Sequence, residues 1–158
     1  MTVSKGVIIM QLKKWFSWGM VIAWMAVIFS FSAQQATDSG NLSGSILIFI
    51  MKVINFLLPT IEVNQSFLHL LIRKGAHFSV YLILGILTSN ALRLNGVSGI
   101  KQFGFSLLIC ALYAMSDEFH QSFVPGRGPS LQDVLIDSSG ATVGILLYQA
   151  FTQKFKRL

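Results

Sequence analysis

The residues able to do chemistry crowd into two stretches of this 158-residue chain. Residues 116–137 hold four of the six acids, Asp117, Glu118, Asp133 and Asp137, together with His120, Gln121 and Arg127. The other stretch supplies Arg73, Lys74, His77 and Tyr81. Three chemistries suit such a set. Guanidinium and ammonium groups bind anions, the guanidinium in a bidentate fork. A carboxylate beside an imidazole moves protons, which makes His77, Asp117, Glu118 and His120 the candidate catalytic groups. Asp117-x-x-His120, with His77 and Asp137, offers oxygen and nitrogen ligands to a metal ion. The metal reading is the least favoured, because carboxylate-bridged sites use two Glu-x-x-His pairs and a single Asp-x-x-His is present here. No metal and no cofactor is therefore expected. The chain has no Ser-His-Asp signature, P-loop or dinucleotide fingerprint.

Spacing says which of these groups share a face. Tyr113, Asp117, His120 and Gln121 follow i, i+4, i+7, i+8, and Asp133, Asp137, Gly140, Ala141, Gly144 and Tyr148 continue the same kind of stripe in their own stretch. Arg73, His77 and Tyr81 are spaced i, i+4, i+8. Gly140 and Gly144 form a Gly-x-x-x-Gly pair, which lets two helix backbones approach closely. His69 stands alone in an apolar stretch and reads as an interface residue; Asp38 and Glu62 read as solvated loop charges.

The elements that must carry these stripes are membrane spans. Hydrophobic residues make up 53% of the chain, charged ones only 11%, and the mean hydropathy is +0.65. Soluble domains carry about 25% charged residues. Long apolar runs predict spans at about residues 15–31, 75–92, 103–119 and 134–151. Residues 46–58 form a shorter apolar segment broken by Lys52 and Asn55, and predict an interfacial, amphipathic helix. A polar loop is expected over 33–44 and another from Pro59 to about Ser66. The first run is longer than a signal-peptide core, which favours a retained helix. The lone cysteine, Cys110, reads as a small buried hydrophobe.

The expected fold is thus an all-α membrane protein: a four-transmembrane-helix bundle with an extra interfacial helix between the first and second spans, in a single domain over 1–158. Eight of the twelve cations then fall on one side: Lys5, Lys13, Lys14, Arg93, Lys101, Lys154, Lys156 and Arg157. The positive-inside rule places both termini in the cytoplasm and the 116–137 hairpin outside. The net charge of +6 needs no nucleic-acid partner in such a protein. An Asp at a helix centre costs about 2.5–3.5 kcal/mol on an insertion scale, so Asp137 should face the bundle. The second, third and fourth spans would then wall a polar pocket, with Arg73, Lys74 and Arg127 as partners of the acids. Pro125, Gly126 and Gly128 around Arg127 predict a tight turn that could present the guanidinium to an anion.

On these residues the chain resembles the VanZ-like family of small bacterial membrane proteins. The matching pieces are Phe29-Ser30-Phe31-Ser32 with Gln34, Lys74-Gly75-Ala76-His77-Phe78 with Tyr81, Ser116-Asp117-Glu118-Phe119-His120-Gln121 with Pro125-Gly126-Arg127, and Asp133-Val134-Leu135-Ile136-Asp137 with Gly140. The resemblance implies four spans and a link, through the family's founding member, to low-level resistance to the glycopeptide teicoplanin. It implies no settled enzymatic activity.

Two functions follow as expectations. The first is an envelope protein whose outward pocket binds an amphiphile such as a lipid-linked precursor or lipoglycopeptide, among ordinary membrane lipids. Its ligand-binding residues would be Arg73, Lys74, His77, Tyr81, Asp117, Glu118, His120, Gln121, Arg127, Asp133 and Asp137. The second is an intramembrane hydrolase or transferase acting on an envelope lipid through a metal or an acid/base pair. A transporter would require a homo-oligomer, since four spans alone make a small pore.

Overall fold

Among the described residues the chain forms five α-helices: α1 (Thr2–Ser32), α2 (Ala36–Leu57), α3 (Gln65–Leu94), α4 (Gly99–Gln121) and α5 (Leu131–Lys154). The computed structural model describes residues 2–34, 36–57 and 63–154. Four of these helices are long and apolar enough to cross a membrane: Lys5–Ser32, Gln65–Leu94, Gly99–Gln121 and Leu131–Thr152. The shorter apolar helix, Gly44–Leu57, lies between the first and second of them. Large apolar side chains line the outside, among them Trp15, Phe16, Phe56, Ile100 and Phe151. That outward display is costly in water and favourable against lipid tails.

Three boundaries differ from the sequence reading, the first being α1, which begins at Thr2 and not near residue 15. The second span begins at Gln65, well before Gly75. Asn64 caps it, its Oδ1 accepting the Phe67 N–H at 3.1 Å, so Arg73 and Lys74 lie within the helix. The polar run after Ala36 is helical as well, where a loop over 33–44 was expected. Its Thr, Asp, Ser and Asn residues disfavour a helix interior only weakly, and the apolar stretch that follows holds them in register. The expected loop at Pro59, with Glu62, the side chain of Asp38 and the cations Lys156 and Arg157, lies outside the described residues.

α3 is the central helix, packing against α1, α2, α4 and α5. Its contact with α5 is the most extensive and runs through glycine. A Cβ built at Gly140 would fall on the Phe78 carbonyl oxygen, one at Gly144 on that of Leu82, and one at Gly85 on that of Ala141. The two backbones therefore touch, as the Gly140/Gly144 spacing allows.

The core is small and partly polar. Tyr81, Leu84, Ala91, Cys110, Ala114, Ala141 and Ile145 are fully buried, with Thr88, Ser89 and Ser106 among them. Helices are joined by hydrogen bonds as well as by packing. Trp24 Nε1 donates to the Val80 carbonyl at 2.8 Å, Tyr113 Oη to that of Met25 at 2.6 Å, and Gln102 Nε2 to that of Ser89 at 2.8 Å. Tyr148 Oη donates to Asn90 Oδ1 at 3.0 Å. In hydrocarbon such bonds supply cohesion that the hydrophobic effect does not.

The glycine contact gives a direct expectation. Gly144→Ala should destabilise the bundle by about 1–3 kcal/mol, because a methyl group overpacks a rigid backbone. Gly104→Ala, in α4 with open space at its Cα, should be neutral or slightly stabilising. Thermal unfolding of the two variants in detergent micelles compares them directly.

Candidate functional site

Three helix ends and one turn meet at the same end of the bundle: the end of α1, the early part of α3, the end of α4, and the loop that leads into α5. The loop is organised by a turn at Val124-Pro125-Gly126-Arg127. The Arg127 N–H donates to the Val124 carbonyl at 3.1 Å, and Gly126 takes φ +77°, where a side chain would be strained. Proline at the second position and glycine at the third are the residues this geometry requires. The turn folds Arg127 back over the bundle. At the start of α5, Ser130 Oγ accepts the Asp133 N–H at 3.3 Å, and Asp133 lies in the first turn, where a negative charge meets the helix dipole favourably.

A cavity of about 360 Å³ opens at this end. Its polar groups are Arg73, His77, Tyr81, Asp117, Gln121 and Arg127, with Ser32 and Gln34 at the end of α1. Its apolar wall comes from Ile28 and Phe31 of α1, Ile46 of α2, and Ile72, Ala76 and Val80 of α3. The walls therefore differ from those read in the sequence. α1 and α2 supply part of the lining, and the α5 acids stand behind His77 and do not line it. α1 swings in because Trp24 and Met25 are hydrogen-bonded to α3 and α4. Ser32, Gln34 and Ile46 were not singled out as site residues, since none of them titrates; Phe29-Ser30-Phe31-Ser32 with Gln34 was the only signal that marked that segment.

The acids are buried and are treated differently from one another. Lys74 Nζ forms an ion pair with Asp133. Asp117 is 3% exposed, and its Oδ2 accepts from Gln121 Nε2 at 3.2 Å. Glu118 Oε2 accepts the Ser130 N–H at 2.8 Å, fastening the α4 end to the α5 entry. Asp137 is fully buried, with Oδ1 3.3 Å from His77 Nδ1.

The arginines do not play the part expected of them. Among the described residues the acids meet the Lys74 ammonium and the His77 imidazole, while Arg73 and Arg127 face the cavity. Burial, and then the charge of neighbouring Arg73, push the Arg127 guanidinium below its ordinary value. Asp117, Glu118 and Asp133 act on the guanidinium in the opposite sense.

The candidate metal set also changes. His77 and Asp137 do converge, and their third neighbour is Glu118: one ligand atom of each lies within 4.8 Å of the others. Asp117 and His120 are not in that group. Asp117 turns to the cavity with Gln121, and the His120 ring stacks on Phe29 with centroids 4.3 Å apart. An i, i+3 pair shares a helix face only loosely, and here α1 captured one member. Tyr81 is fully buried beside the cavity, with no hydrogen-bond partner for its hydroxyl.

With that geometry in view, residues 17–152 match the VanZ/LLP1 family model. The chain belongs to the VanZ-like family. No curated protein and no solved structure matches it. This VanZ-like chain is a multi-pass membrane protein by its four apolar helices.

Because Asp133 is 6% exposed and carries one ammonium partner, Lys74→Met should strand a buried carboxylate. A loss of about 3 kcal/mol is expected. Adding Asp133→Asn to Lys74→Met should recover part of that loss, which a double-mutant cycle on thermal unfolding would measure.

Proposed function

We propose that this VanZ-like protein binds an amphiphile with an anionic head group in the cavity between α1, α2, α3 and α4. The observation that carries the reading is the pair of arginines, Arg73 and Arg127, in a chamber that also has an apolar wall of Ile28, Phe31, Ile46, Ile72, Ala76 and Val80. Anionic oxygens would be held by guanidinium groups, and an acyl chain or other apolar body would lie along Ile28, Phe31, Ile46 and Val80. Asp117 and Gln121 at the cavity floor would accept from, or donate to, hydroxyl or amide groups of the head.

The orientation completes the proposal. Lys5, Lys13, Lys14, Arg93 and Lys101 lie on the segments far from the cavity, which supports cytoplasmic termini and an extracytoplasmic cavity mouth. The ligand would then be a constituent of the outer leaflet or an envelope precursor in the cell membrane. A lipoglycopeptide such as teicoplanin has the same amphiphilic character, and sequestering it or its lipid-linked target would give tolerance.

Native mass spectrometry of the protein released from nanodiscs tests the binding claim. Anionic phospholipid should be retained over zwitterionic phospholipid. Arg73→Ala with Arg127→Ala should lower retention about 10-fold or more, as expected when charged hydrogen bonds worth about 1.5–3 kcal/mol each are removed. Equal retention of both lipid classes by the unaltered protein would overturn the reading. In cells, deletion should raise teicoplanin susceptibility, and the doubly substituted gene should fail to restore tolerance.

A further inference from the structure

Behind the cavity wall, Glu118 and Asp137 lie buried close together and carry oxygens with no hydrogen-bond donor among the described residues. Lys74 serves Asp133, Gln121 serves Asp117, and the Ser130 N–H serves one oxygen of Glu118. Four carboxylate oxygens remain buried with no hydrogen-bond donor among the described residues: Asp117 Oδ1, Glu118 Oε1 and both oxygens of Asp137. Glu118 is 3% exposed and Asp137 0%. The group that faces them is the His77 imidazole, with Nδ1 3.3 Å from Asp137 Oδ1. Two carboxylates close together in a bundle core, with three of their four oxygens lacking a donor, are expensive, and a charged partner between them relieves both.

We propose that His77, Glu118 and Asp137 are the ligands of one divalent transition-metal ion, of the Zn²⁺ or Mn²⁺ class, held between α3, α4 and α5. A single donor atom from each side chain lies within 4.8 Å of the other two. Donors about 2.1 Å from a tetrahedral ion stand about 3.4 Å apart, so the His77–Asp137 spacing already suits a shared ion. One imidazole and two carboxylates bind a dication with no net charge left over. The imidazole selects Zn²⁺ or Mn²⁺ over Ca²⁺, which takes six to eight oxygens, and over Mg²⁺, which keeps its waters. Three protein ligands leave further coordination positions free. His77 also lines the cavity, which gives an ion a path in. The three ligands come from three different helices, so the ion would tie α4 and α5 to α3. None of this depends on which amphiphile the cavity takes.

The test uses the full chain in detergent, stripped with a chelator, dialysed, and titrated with Zn²⁺ and with Mn²⁺. Elemental analysis should find one ion per chain, and titration calorimetry a matching stoichiometry. Asp137→Asn and Glu118→Gln, which preserve side-chain shape, should each weaken binding about 10-fold or more. His120→Ala, outside the trio, should bind as the unaltered protein does. Added ion should raise the unfolding temperature of the unaltered protein and not that of Asp137→Asn. Binding unchanged in both carboxylate variants would overturn the site. So would an unaltered protein that retains no ion, which decides the matter even where a variant fails to fold.

Discussion

The backbone contact between α3 and α5 sets everything else at this end of the bundle. Gly140 and Gly144 lie against the carbonyls of Phe78 and Leu82, and Gly85 against that of Ala141. At that separation, side chains one or two turns away must meet. Lys74 reaches Asp133, and His77 reaches Asp137. A bulkier seam would part the helices and leave Asp133 and Asp137 buried without these partners. The glycines therefore act on the electrostatics although they carry no charge.

Around that seam the acids divide into roles. Asp133 is neutralised by an ammonium, and Glu118 fastens the loop by accepting the Ser130 N–H. Asp117 looks into the cavity with Gln121. Asp137 sits deepest, against the imidazole. The arginines line the cavity, and among the described residues neither forms an ion pair with an acid. A cavity lined by two arginines, with unsatisfied carboxylate oxygens behind one histidine, has two separable polar regions, joined at His77.

Much of this was legible in the sequence, and the parts that were not have physical reasons. Four long apolar runs announce four spans, because only a helix satisfies its backbone in hydrocarbon. The start of α3 was hidden by Arg73 and Lys74, which look like a flank; the capping Asn64 was the better signal. The helical stripe placed Arg73, His77 and Tyr81 on one cavity-facing side, since a period of 3.6 is reliable within a helix. It could not say which neighbour each face would meet. His120 was taken by Phe29 of α1, and Glu118, one residue off the stripe, turned out to approach His77 and Asp137. Contacts between helices depend on rotation and register, which a single sequence encodes only where glycines force an approach.

The register of α3 against α5 is the claim on which the others rest, and a zero-length chemical cross-link reads it. A carbodiimide joins a lysine to a carboxylate only where the two already form an ion pair. Applied to the protein in membranes and followed by peptide mass spectrometry, it should yield an amide between Lys74 and Asp133. Linkage of Lys74 to a different acid, with none to Asp133, would contradict the packing described here.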